Sequence, residues 1–342
     1  MREPAFWWRP RGGTGTLLLT PIAMVYAAAA ARRMARPGAR AGVPVLCVGN
    51  PTVGGAGKTP LAIAMAHMLL DAGKQPFLLT RGYGGTEVGP LLVDPARHRA
   101  QEVGDEPLLL ARIAPTIVAR DRVAGARFAL AAGAGVIVMD DGFQNPSLAK
   151  DFSLLVIDAR RGIGNGRVLP AGPMRAPLAQ QLTHAHALVV VGAGDGADAV
   201  MTMARPRHLP VFRARLKPDA GALGALAGSR VLAFAGIGDP DKFFATLRSA
   251  GVAVVATRAF PDHHPYTRND ADTLCHEAER AGLRLVSTEK DLARLQHEPA
   301  LKRLAERAQA LPVRLVLEDE QTFKMMLLRA CANASGNDEN IQ

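Results

Sequence analysis

Cysteine is scarce in this sequence. Cys47, Cys275 and Cys331 are the only three in 342 residues, an odd number with no metal-ligand spacing. That excludes a disulfide framework and a cysteine-based zinc site, and it favours a reducing compartment. Aromatic residues are also few, at 5%, and the only tryptophans are Trp7 and Trp8. Single-stranded nucleic acid is held by basic grooves interleaved with aromatic platforms. Here aromatics are sparse and the basic excess lies at the N-terminus, so nucleic acid is not the expected partner. Only eight of the 41 basic residues are lysines, and no internal repeat is evident.

What is present is an uneven positive charge. The chain carries a formal +10. Residues 1–40 hold Arg2, Arg9, Arg11, Arg32, Arg33, Arg36 and Arg40 against Glu3, a net +6. Between these arginines the stretch from Gly12 to Ala31 has no charge. Thr20-Pro21 reads as an N-cap and first helical residue. Ile22, Val25, Tyr26 and Ala29 then share one face of an amphipathic helix. With Trp7 and Trp8 just upstream, the pattern predicts a helix lying in the interface of an anionic membrane. A bilayer span needs ~20 strongly apolar residues, and Gly12, Gly13, Gly15 and three threonines dilute this one.

From residue 42 onward buried strand patterns alternate with helical ones. Val43–Gly49, Pro76–Thr80, Thr116–Ala119, Gly135–Met139, Phe152–Ile157 and Ala187–Val191 read as strands buried on both faces, with helices between them. The alternation predicts an α/β fold, a doubly wound and mostly parallel sheet. A change of texture at Lys217–Gly228 is followed by a second, shorter alternation. The expected domains are 1–40, a membrane-associated helix; 41–217, a P-loop core; 218–332, a smaller α/β domain; and 333–342, a disordered tail.

The core carries a phosphate-binding loop, Thr52-Val53-Gly54-Gly55-Ala56-Gly57-Lys58-Thr59, in the required place between a buried strand and a helix. Its glycines turn backbone N–H groups onto phosphate oxygens, and the helix adds its positive end. Lys58 is expected to face solvent as a phosphate ligand, and Thr59 to offer its hydroxyl to Mg²⁺. The usual first glycine is replaced by Thr52. Asp140 and Asp141 end an apolar strand, the form of a magnesium-binding Walker B element. The loops "TRGYGG" (80–85) and "DARRGIGNGRVLPAGPMR" (158–175) are either substrate-phosphate loops or solvated turns. "GDEP" puts Asp105 at a helix start, and "FPDHHPY" puts Asp262, His263 and His264 in a loop, where histidine suits proton transfer.

These strings, with "FAGIGDPDKFF" and "STEKDLARL", occur in the order in which they stand in the tetraacyldisaccharide 4′-kinase (lipid A 4′-kinase) family, which the chain resembles from residue 5 to 330. The missing first glycine is shared with that family. The resemblance implies an enzyme of lipid A (lipopolysaccharide) biosynthesis at the cytoplasmic face of the bacterial inner membrane. ATP would be the phosphoryl donor, with Mg²⁺. The acceptor would be a glycolipid, the 4′-hydroxyl of a tetraacyldisaccharide 1-phosphate, and the product lipid IVA. It implies that Asp105 and His263 are the catalytic pair, with His264 a competitor for the histidine role. Asp140 and Asp141 would serve the metal, and Asp262 would orient its neighbour. Arg81, Tyr83, Glu106, Gln144, Arg161, Asn165 and Arg175 are further supporting or substrate candidates. Asp105 and His263 would then lie on different domains.

A nucleotide-switch or metallocentre-insertion GTPase is the rival reading, since such proteins carry similar loops. Guanine recognition calls for an Asn-Lys-x-Asp element, and "STEKD" has its lysine and aspartate in the wrong order.

Overall fold

The computed structural model describes residues 3–9 and 12–338. Arg2, Arg11 and the last four residues of the expected tail lie outside the described residues. The chain forms two compact units. The first holds the chain to Arg81, Ala119–Leu216 and everything from Leu315; the second holds Gly82–Val118 and Lys217–Arg314.

In the first unit, strands of mostly apolar residues are buried along their whole length. Neighbouring strands run Val313–Leu317, Val211–Pro218, Ala187–Val191, Phe152–Asp158, Val45–Gly49, Val136–Asp140, Pro76–Thr80. The pairs from Val211–Pro218 to Pro76–Thr80 are parallel. The chain leaves the Val45–Gly49 strand towards one side of the sheet and later returns to build the other. Right-handed crossovers then put helices on both faces, the doubly wound α/β arrangement expected. The register pairs Val48 with both Asp140 and Leu154. The loop leaving Gly49 therefore starts beside the Asp140-Asp141 strand end, at the point where the strand order reverses, which is the usual ligand position of such sheets.

The second unit has its own parallel sheet, in the order Ala253–Ala259, Arg230–Ala235, Arg284–Thr288, Ala308–Leu311. One face packs on Leu274, Cys275 and Ala278 of the helix Arg268–Ala281; the other packs on Phe243, Phe244 and Leu247 of the helix Pro240–Ser249.

The division differs from the expected boundaries. Residues 82–118 were assigned to the P-loop core but belong to the second unit. The short helices Ala100–Val103 and Asp105–Leu110 bury Val103, Leu108 and Leu109 in one cluster with Ala293 of the helix Glu289–Leu295. Asp105 and His263 therefore lie in the same unit, not on different ones. The C-terminal segment returns to the first unit, where Phe323 meets the edge of Phe212 at 5.1 Å. Its helix, Glu320–Asp338, continues past residue 333, where disorder was expected.

The N-terminal helix spans Thr14–Met34, so Pro21 lies inside it and is not its first residue. The Thr20 hydroxyl donates back to the Thr16 carbonyl at 2.7 Å, as an internal threonine does. The reason is the inward stripe. Thr16, Ala23, Ala30 and Met34 are buried at helical spacing, and that stripe starts before Pro21. The outward side is apolar as well: Leu17, Leu18, Ile22, Met24 and Val25 are all more than half exposed. The helix thus has two apolar faces, small side chains inward and large ones outward, with Arg32 and Arg33 at its end. The tryptophans do not flank it as free anchors. Trp7 Nε1 donates to the Pro170 carbonyl and Trp8 Nε1 to Glu3, both at 3.0 Å.

After the helix, Ala39 N donates to the Ser147 carbonyl and the Ala39 carbonyl accepts from Ala149 N, at 2.9 and 2.8 Å. A Cβ on Gly38 would stand 2.4 Å from the Pro146 carbonyl oxygen and 2.5 Å from the Ala149 nitrogen. Both are backbone atoms, so Gly38→Ala should destabilise the first unit by ~1–3 kcal/mol. Gly224→Ala, whose Cβ meets nothing within 4 Å, should be neutral or stabilising by up to ~1 kcal/mol. Thermal unfolding followed by circular dichroism checks the pair; equal melting temperatures would contradict the packing at Gly38.

Candidate active site

The phosphate loop is built by its neighbours as much as by its glycines. Gly54 and Gly57 adopt φ of 90° and 93°, which other residues rarely reach. Thr52 has no such need. It is buried and extended, bridged to Met174, while Val53 N donates to the Pro173 carbonyl and Arg175 N to the Pro51 carbonyl. The segment 51–53 is a short ribbon against 173–175, which explains why a threonine replaces the first glycine. Gln144 Nε2 donates to the Asn50 carbonyl at 2.8 Å and to Gln181 Oε1 at 3.0 Å; Gln181 in turn donates to the Pro51 and Ala176 carbonyls. Gln144 is thus a brace beneath the loop.

Lys58 differs from expectation: it is 9% exposed, not solvent-facing. Its ammonium donates to Asn50 Oδ1 at 3.0 Å and to the Gly54 carbonyl at 3.5 Å, inside the curve of the loop. The two aspartates at the strand end separate cleanly. Asp140, fully buried, accepts from the Thr59 hydroxyl at 3.2 Å. Asp141 turns away at φ 53° and is held in a fork by Arg175, at 2.7 and 3.2 Å, with Lys58 Nζ 3.7 Å away. Burial would raise the Asp141 carboxyl, but Lys58 and Arg175 outweigh it and hold it below the usual range. The Thr59 hydroxyl and the Asp140 carboxylate are hard oxygen donors at a helix start. The described residues contain no cluster of three or more His, Cys, Asp or Glu able to hold a metal. Two protein oxygens fit an ion that keeps waters and takes phosphate ligands, as magnesium does, and do not fit an all-protein cage.

The arginine-bearing loop 158–175 is drawn into this unit's own structure. Arg161 faces Glu3 at 3.3 Å and lies 5.0 Å over the Trp8 ring. Asn165 donates its side-chain amide to the Ala171 and Phe6 carbonyls, at 2.9 and 3.3 Å, and its backbone N–H to the Trp7 carbonyl. Asn165 is therefore a dock for the N-terminal segment. Arg81 is exposed.

The second unit assembles the remaining candidates. Asp105 begins the helix Asp105–Leu110 and is only 3% exposed. Its Oδ1 accepts from Glu106 N at 2.8 Å. Its Oδ2 lies 3.1 Å from His263 Nδ1 and accepts from Arg294 Nε at 2.7 Å. Burial alone would raise this carboxyl. The His263 hydrogen bond and the Lys290 and Arg294 charges outweigh burial and hold it far below the usual range. His263 sits at φ 55°, its N–H on the Gly236 carbonyl. Burial would lower its imidazole, but the Asp105 hydrogen bond and charge, with Asp262, hold it above the ordinary value of 6.5. Asp262 is exposed, with Oδ1 3.8 Å from His263 Nε2, and the Tyr83 ring meets His263 edge-on at 5.1 Å. Glu106 pairs with Lys290.

His264 is committed elsewhere. It stacks on Phe260 at 4.8 Å and pairs with Asp270, the residue that closes the cap of the helix Arg268–Ala281. Sequence reasoning left the two histidines in competition, and the geometry separates them. It also missed Asn50, Gln181, Lys290 and Arg294. Only the positions of Lys290 and Arg294 in "STEKDLARL", four residues apart and so on one helix face, hinted at a shared target.

The first unit holds a phosphate cradle and the second a buried carboxylate–histidine pair, each a kind of part that phosphoryl transfer to an alcohol uses. The comparisons with known proteins agree. The family model for LpxK, tetraacyldisaccharide-1-P 4'-kinase, matches residues 15–332. A tetraacyldisaccharide 4'-kinase from Rhodopseudomonas palustris (strain BisA53) is 55% identical over 328 residues, covering 96% of this chain and 95% of that protein. One from Methylobacterium sp. (strain 4-46) is 57% identical over 330 residues, 96% of each. The crystal structure of LpxK from Aquifex aeolicus in complex with ATP superposes with a TM-score of 0.71 at 27% identity, covering 92% of this chain and 99% of that one. The chain belongs to the tetraacyldisaccharide-1-P 4'-kinase family.

Proposed function

We propose that residues 54–59 grip the phosphates of ATP and that His263, oriented by Asp105, is the base. The overall reaction transfers the γ-phosphoryl group of ATP to the 4′-hydroxyl of a tetraacyldisaccharide 1-phosphate, giving lipid IVA in lipid A biosynthesis. Family membership sets aside the GTPase reading of the loop.

One observation carries the assignment of the base. Both oxygens of Asp105 are occupied by donors, and the carboxylate is buried. An ionised Asp105 keeps the proton of the neutral ring on Nδ1, so Nε2 holds the lone pair that takes the hydroxyl proton. Asp105 itself stays ionised and stabilises the imidazolium that results. In the first unit, Lys58 and the loop amides neutralise charge on the phosphates as the loose transition state forms. Thr59 and Asp140 would hold a magnesium ion, which when bound adds to that neutralisation. Arg175 keeps Asp141 ionised and ties the loop to 173–175.

The N-terminal helix supports peripheral attachment to the cytoplasmic face of the inner membrane. It is the one helix among the described residues long and apolar enough to cross a membrane, with 17% of its apolar window buried. Its small-residue stripe lies against protein, its large side chains face outward, and its arginines suit anionic headgroups. A substrate with four acyl chains stays in the bilayer, so the enzyme must come to it.

Lys58→Ala should lower turnover by ~10²–10³-fold, the scale for losing one preorganised donor; a folded variant with normal turnover would remove the loop from the mechanism. His263→Ala should lose ~10²-fold or more, while His264→Ala should lower thermal stability and spare most of kcat. The sign of the pH effect follows from the raised imidazole: protonation removes the base, so kcat must fall as pH drops through a value above 6.5. An acid limb below the ordinary histidine range would contradict it. Leu18→Glu with Val25→Glu, both exposed, should abolish flotation with anionic vesicles and leave activity on detergent-dispersed substrate intact. Undiminished flotation would contradict the interfacial role.

A further inference from the structure

His263 is fixed at two points, and one side chain touches both. Its Nδ1 faces Asp105 Oδ2, and its backbone N–H donates to the Gly236 carbonyl at 3.0 Å. Arg294 Nε donates to the same Asp105 Oδ2 at 2.7 Å, and Arg294 Nη1 donates to the same Gly236 carbonyl at 2.9 Å. The planar guanidinium therefore sets the spacing between the two anchors of the histidine. We propose that Arg294 is a positioning residue for the Asp105–His263 pair, fixing the carboxylate and the His263 backbone together so that Nε2 is presented in one direction. This rests on the reading of His263 as the base.

Arg294 is itself locked. Nη1 also donates to Asp291 Oδ1 at 3.0 Å, on the same helix face three residues earlier. Asp291 is fully buried and receives Tyr266 OH at 2.7 Å, Gly236 N at 2.9 Å and Thr288 Oγ1 at 2.6 Å. A Cβ on Gly236 would come within 3.0 Å of Arg294 Nη1, so the glycine is what lets the guanidinium reach that carbonyl. Lys290, one turn before Arg294, pairs with Glu106. The helix Glu289–Leu295 thus grips both acidic residues of "GDEP" with two cations. Packing does not demand this. Arg294, Asp291 and Asp105 are 6%, 0% and 3% exposed, and a buried ionic network of this kind is often no more stable than apolar residues of the same volume. Its return is orientation, where ~1 Å of misplacement costs about 10²-fold in rate.

The groups facing His263 are Asp105, Asp262, Lys290 and the Tyr83 ring; those facing Arg294 are Asp105, Asp291 and Tyr266. Without Arg294 the Asp105 charge is no longer shared, and imidazolium is favoured more strongly. Arg294→Gln and Arg294→Lys in the full-length enzyme test the idea. Arg294→Gln should lower kcat by roughly 10²-fold, leave the KM for ATP unchanged and move the acid limb of kcat to higher pH. Arg294→Lys, which keeps the charge but not the fork, should recover part of the rate. In an Asp105→Asn background Arg294→Gln should add almost nothing. A folded Arg294→Gln enzyme with kcat within twofold of the parent, an unmoved acid limb, or a loss that multiplies fully with that of Asp105→Asn would overturn the proposal. If Arg294→Gln does not fold, Arg294→Lys decides: an unchanged kcat overturns the proposal, and a lowered kcat with an unchanged KM for ATP upholds it. Full activity of His263→Ala would instead remove the reading beneath it.

Discussion

The constraint on which the catalytic half depends is the burial of one ionised carboxylate. An uncompensated carboxylate taken out of water is unfavourable by several kcal/mol, so Asp105 at 3% exposure has to be surrounded by donors before the unit is stable. Its long-range partners come from far along the chain: His263 and Arg294 are both more than 150 residues away, and Lys290, paired with Glu106, adds its charge. Meeting the demand requires residues 82–118 to fold with 217–314. The apolar cluster joining Val103 and Leu108 to Ala293 provides the contact that makes it possible. Domain organisation, the elevated imidazole of His263 and the choice between adjacent histidines follow from that one group.

The first unit solves a different problem. Its fully buried parallel strands present their carboxyl ends together, and the register sets Asp140 beside the start of the phosphate loop. Thr59 then meets Asp140 and Lys58 curls into its own loop, while Arg175 removes Asp141 from competition. Two neighbouring aspartates of identical chemistry are thereby given different work by a single left-handed residue, Asp141.

Much of this was legible in the residues. Buried strands declare themselves by uninterrupted Val, Leu and Ile, and Gly-Gly-Ala-Gly-Lys-Thr between a strand and a helix has few structural meanings other than phosphate binding. "GDEP" and "FPDHHPY" stood out because charged residues sit there without a packing reason. Other features were hidden by their dependence on distant partners. The reason for Thr52 in place of a glycine is its bridge to Met174, and extended pairing leaves no mark at the position itself. Arg294 reads as an ordinary helical arginine, and only the fold shows that it faces a buried carboxylate 189 residues away. The segment 82–118 follows a core strand and carries no linker signal, so its transfer to the second unit was invisible. The N-terminal helix was placed correctly but begun too late, because Thr-Pro imitates a helix start and the small inward residues at Thr16 and Ala23 carry too little hydrophobicity to mark the earlier turn.

The central claim is a division of labour between residues: nucleotide grip by the loop 54–59, proton removal by His263. The most direct measurement is the dissociation constant for ATP with magnesium, by calorimetry, alongside the single-turnover rate of phosphoryl transfer, in the His263→Ala enzyme. The account predicts an affinity within about twofold of the parent, since a lost general base acts on the chemical step, and a transfer rate lower by ~10²-fold or more. An ATP affinity that falls in proportion to the rate would contradict it, because His263 would then belong to the nucleotide site.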